Sequence, residues 1–160
     1  MNTSYNGADI SECGLYRYRL WRWWDQGLPL LGWIMLNPST ADARTDDPTI
    51  RRCMGFARRE GCDGIHVVNI YALRATSPAN MLADPNRVDA VNLCYLRQAA
   101  DIYGSICCAW GNHAEPVPVR RALQAFDSRQ VHMSCLGKNK SGAPKHPLYL
   151  AANAEMVSYP

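Results

Sequence analysis

The chain holds no CxxC pair, no GxxxxGK(S/T) phosphate loop, no GxSxG elbow and no HExxH helix. Those absences remove support for iron–sulfur and zinc centres, for a nucleotide-hydrolysing P-loop and for two large hydrolase classes. No apolar run approaches the roughly 20 residues needed to span a bilayer. The opening residues, MNTSYNGADISEC, lack the basic and apolar regions of a secretory leader, so a cytoplasmic protein without membrane contact is expected. The seven cysteines are odd in number, and Cys53, Cys94, Cys107, Cys108 and Cys135 sit in helix- or strand-like apolar patterns. Buried thiols in a reducing compartment explain them, with no metal and no other cofactor.

What is present suits one folded domain. At 160 residues and 48% hydrophobic composition the chain is long enough to bury a core, and no linker or repeat divides residues 1–160. Net charge is +3, which permits an anionic partner. Arg17, Arg19 and Arg22 interleave with Tyr16, Tyr18, Trp21, Trp23 and Trp24. That mixture suits base stacking, or an edge strand defended by charge, and the edge strand is the reading preferred. A second basic cluster, Lys138, Lys140 and Lys145, reads as a phosphate contact.

Residues 1–14 read as a poorly ordered tail, and Tyr16–Trp24 as an antiparallel strand. Leu30–Leu36, Ile65–Tyr71, Ser105–Trp110 and Val131–Leu136 then read as strands covered on both faces. Helices intervene. Asp47-Pro48 is a helix start, with Asp as N-cap and Pro in the first turn. Its wet face carries Arg51, Arg52, Arg58 and Arg59, and Gly61 ends it. Asp84-Pro85 repeats the signal, with Val88, Val91, Tyr95 and Ala99 as an apolar stripe, and Pro116 opens a third helix. The alternation predicts a three-layer α/β/α sandwich around a four-stranded, mostly parallel sheet, plus the N-terminal antiparallel edge strand.

Parallel strands gather their polar tips along one edge, where open α/β folds bind ligands. The tips are Asn37-Pro38-Ser39-Thr40, Asn69, Trp110-Gly111-Asn112-His113 and the loop from Gly137 to Lys145 that leads into His146-Pro147. Pro38 stiffens its turn, so Asn37 can place a water or read a ligand edge. Asn69 interrupts an apolar strand, where a buried amide needs partners. A histidine before proline, His146, can act as general acid or stabilise developing negative charge, with His113 as second choice. Among the acids Asp42, Asp46 and Asp47, the helix cap accounts for Asp47, which leaves Asp42 as the freer carboxylate.

The blocks MLNPSTADARTDDPTIRRC, VVNIYALRATSP, AWGNHA and CLGKNKSGAPKHPLYL resemble the bacterial and phage family known as domain of unknown function 1643. More distantly, the order of Asn37-Pro38, Asn69, Trp110-Gly111 and His146-Pro147 resembles the uracil-DNA glycosylase superfamily. That resemblance implies hydrolysis of the N-glycosidic bond of a modified or damaged base flipped out of DNA. Asn37, His146 and Asp42 would be catalytic, and Asn69, Pro38, Ser39, Trp110 and Gly111 would hold the base. Lys138, Lys140 and Lys145 would hold DNA phosphate. The alternatives are a nucleotide or modified-base binding module that cleaves nothing, and a transferase acting on a hypermodified phage base.

Overall fold

A computed structural model describes residues 5–160. Seven strands form one sheet in the order β1-β2-β4-β3-β5-β6-β7. They are β1 Asn6–Ile10, β2 Arg17–Trp23, β3 Leu30–Met35, β4 Gly64–Asn69, β5 Ser105–Cys108, β6 His132–Cys135 and β7 Val157–Ser158. The four central strands pair in parallel, β4 with β3, β3 with β5 and β5 with β6. Antiparallel strands flank them on both sides.

The structure departs from the expected architecture in three places. The sheet has seven strands rather than four and an edge strand. The expected tail supplies β1 from Asn6, and residues 1–4 lie outside the described residues. β2 is no edge, because β1 covers it. Gly7 makes that possible, since a Cβ there would lie 2.1 Å from the Trp21 indole.

Alternation along the strands feeds two cores. Ile34, Val68, Ile106 and Cys108 face helices α2 (Pro78–Ala83), α3 (Ala90–Ile102) and α4 (Pro116–Asp127). Leu31, Trp33, Met35, Val67 and Cys107 face α1 (Pro48–Arg59) on the other side. Helix α1 begins as read. The Asp47 carboxylate accepts from the Ile50 amide at 2.9 Å, and Gly61 follows the last turn at φ +73°. Burying Ile50 and Phe56 against the sheet contributes roughly 1.5–3 kcal/mol each.

Asp84-Pro85 starts no helix. Asp84 ends α2, which opens at Ser77-Pro78, and the N-cap of α3 is Asp89. The stripe shifts accordingly: Val88 and Val91 are exposed, while Asn92, Leu96, Ala99 and Ala100 are buried. Cys94 is exposed with them, whereas Cys53, Cys107, Cys108 and Cys135 are buried. No helix of the described residues is long and apolar enough to cross a membrane.

Candidate functional site

β4 lies on one side of β3 and β5 on the other, so the chain reverses its winding direction between β3 and β5. Such a switch leaves a crevice beyond the carboxyl ends of the strands. A cavity of about 700 Å³ occupies it. Asn37 and Ser39 beyond β3, Asn69 at the end of β4, and Trp110-Gly111 beyond β5 line this cavity together with Lys145 and His146. Pro38, Asp42, Lys138 and Lys140 are not among its lining residues.

The asparagine amide at residue 37 is locked. Its Nδ2 donates to the carbonyls of Pro38 and Ala75, both at 3.0 Å, which orients the side chain and leaves Oδ1 as its acceptor. Pro38 thus enters the site through its carbonyl rather than its ring. Asn69 is the opposite case. It is 1% exposed, and neither amide atom has a hydrogen-bond partner among the described residues. Each buried polar group left unpaired costs about 1–3 kcal/mol.

His146 is half-buried ahead of a 3-10 turn, Pro147–Tyr149, and its Nδ1 accepts from the Leu148 amide at 3.3 Å. In the neutral ring the proton therefore sits on Nε2. Burial pushes the imidazole below the usual histidine range, with the Asp47 charge opposing. Gly111 permits the neighbouring turn: φ is +72°, its amide donates to the Pro144 carbonyl at 2.9 Å, and a Cβ would sit 3.8 Å from that of His146. Trp110 is buried, its ring meeting Tyr159 edge-on at 5.4 Å.

The basic loop is folded on itself. Asn139 donates to Ala143, Lys145 donates to Gly137, and the Ser141 hydroxyl reaches the Asn112 side chain at 2.7 Å. Lys138 and Lys140 are exposed on it, and Tyr149 stands 89% exposed in the cavity wall. The expected wet face of α1 is partly taken up here. Arg52 donates to the carbonyls of Pro147 and Leu150, and Arg59 to those of Ala152 and Ala154. Helix α1 thereby holds the segment that carries His146.

Asp42 lies elsewhere. Its Oδ1 accepts from the Arg44 and Thr45 amides at 2.8 Å each, bonds that lower its pKa and shape a loop. Two residues read as structural line the cavity instead. Asp47 is 8% exposed and is the only carboxylate among the lining residues. Arg17, 2% exposed, donates Nη1 to the Ala41 carbonyl at 2.7 Å while its Nε lacks a partner. Burial pushes the Arg17 guanidinium down to about 10, Asp47 opposing. The signal for both lay in their position: a cation and an anion flanking polar strand ends.

The chain belongs to the family described as Protein of unknown function (DUF1643), whose model matches residues 17–148. No curated protein and no solved structure matches the chain.

Proposed function

We propose that this chain is a glycosylase-like hydrolase, which cleaves the N-glycosidic bond of a modified or damaged base in DNA. The observation that carries the reading is Asn69: a buried amide, unpaired at both atoms among the described residues, on a residue that lines the same cavity as Asn37 and His146. An amide offers a donor and an acceptor side by side, which complements the polar edge of a nucleobase. A base must leave the stack to reach that depth.

The other groups fit hydrolysis. Asn37 Oδ1 accepts from a water and holds it against the anomeric carbon. The Nε2–H of neutral His146 donates to the departing base as negative charge develops, a contribution that typically amounts to 2.7–4 kcal/mol for one such donor. Lys145 in the wall and Lys138 and Lys140 beside it suit flanking phosphates, and exposed Tyr149 suits stacking on neighbouring bases. Water is the only co-reactant this scheme needs. Trp110, Gly111 and Ser39, all in the cavity lining, hold the shape of the pocket around the base.

One observation favours binding without cleavage. An amide at residue 37 cannot take a proton from water, so Asn37 alone does not complete a hydrolase. The experiment is incubation with single- and double-stranded DNA carrying varied modified bases, followed by alkali and a denaturing gel. Strand breaks support excision, retention of intact DNA supports a binding module, and added mass on the base supports a transferase. Asn37→Ala and His146→Ala should each abolish the breaks with the fold intact; wild-type activity in both variants rejects these roles.

A further inference from the structure

We propose that Asp47 is the general base of this site, the carboxylate that takes the proton of the attacking water. The inference rests on the excision reading above and supplies what that reading lacks. Hydrolysis requires a proton acceptor, and Asp47 is the only carboxylate lining the cavity. It is more than nine-tenths buried, so its charge is not spent on bulk water. One oxygen, Oδ1, accepts from the Ile50 amide at 2.9 Å and caps α1, which fixes the carboxylate plane. Its other oxygen has no hydrogen-bond partner among the described residues. Arg17, whose Nε is unpaired, and His146 both feel the Asp47 charge, and the ion pairs among the described residues do not include one between Arg17 and Asp47. Asp47, Arg17 and Asn69 therefore line one cavity, and the guanidinium Nε and both Asn69 amide atoms have no partner among the described residues.

In the proposed step, the water oxygen held by Asn37 forms a bond to the anomeric carbon. The carbon–nitrogen bond breaks, and its electron pair leaves with the base, which His146 Nε2–H stabilises. The water proton passes to the free oxygen of Asp47. Asp47 later returns that proton through solvent, and the base leaves protonated, so one water is consumed for each base and hydroxyl produced.

The dual position of Asp47 makes the test clean. Asparagine caps helices about as well as aspartate but accepts no proton. Asp47→Asn should therefore keep the wild-type melting temperature while single-turnover excision falls about 10²–10⁴-fold, the range of general-base catalysis. Asp47→Ala should lose activity and also stability. The probes are oligonucleotides carrying one uracil, hypoxanthine, 5-hydroxymethyluracil or 8-oxoguanine each, with genomic DNA of phages that carry hypermodified bases. Excision by Asp47→Asn at the wild-type rate overturns the assignment and leaves the excision reading standing. Wild-type protein that excises no base across the whole set overturns both.

Discussion

Two buried arginines on β2, and two buried asparagines, Asn69 at the end of β4 and Asn92 on α3, divide the molecule into scaffold and cavity wall. Arg22 is saturated. Its Nε pairs with Asp46 at 2.7 Å, Nη2 bonds the Asp42 and Thr45 carbonyls, and Nη1 bonds those of Trp21 and Gly7. Arg17, equally buried, keeps Nε bare. Asn92 donates its amide to the carbonyls of Asn69 and Ile70, tying off β4, and leaves only Oδ1 unpaired. The side chain of Asn69 makes no bond at all. Among the sealed side-chain polar atoms of the described residues that have no partner, those of Arg17 and Asn69 belong to residues lining the cavity. Burial with partners builds the fold here. Burial without them, on residues that line the cavity, leaves donors and acceptors that the described residues do not satisfy.

The contrast breaks first at Arg22. Arg22→Ala leaves Asp46, two loop carbonyls and two strand carbonyls without their donor and should cost about 3–5 kcal/mol, read as a drop in denaturation midpoint. Asn92→Leu should cost about 1–3 kcal/mol, because two strand-end carbonyls lose their donor. A smaller effect separates unpaired groups that lie away from the cavity. Burial holds His66 down at about 4, so the unfolded chain binds more protons between that value and the ordinary 6.5. Stability should fall as pH drops through this window, by at most about 1.4 kcal/mol per pH unit, and His66→Phe should remove the slope in acid titrations of melting temperature. Gly111→Ala places a Cβ at φ +72° in ordinary contact with His146 and should cost roughly 1–2 kcal/mol through backbone strain, visible as a lower melting temperature. His146 itself sets a pH limb. Its lowered value keeps the ring neutral through neutral pH, so excision should fail only on the acid side, below the ordinary histidine range.

Much of the architecture was legible because its signals are local. The four parallel strands are continuous apolar runs, and Asp47-Pro48 is a cap with a stiff first turn. Other features depended on partners distant in sequence. Asn92 breaks the apolar stripe of α3, since the helix turns a polar residue inward to reach carbonyls of β4, and periodicity alone placed Val88 and Val91 there instead. The arginines of β2 read as a wet edge because nothing nearby announces that the loop carbonyls of residues 41–45 need donors. The four tips converged as their order along parallel strands implied, bringing Asn37, Asn69, Trp110, Gly111, Lys145 and His146 to one cavity. Asp42 did not join them because its carboxylate closes a turn of its own, and Asp47 stood in plain view under a second duty.

The most direct test is Asn69→Leu, with melting temperature and single-turnover excision measured on the same preparation. An amide kept for a ligand has no bond to lose on folding, so the variant should melt at or above the wild-type temperature while excision falls about 10²–10³-fold. A variant that melts as low as Asn92→Leu and still excises bases at the wild-type rate would contradict the account, because Asn69 would then belong to the scaffold.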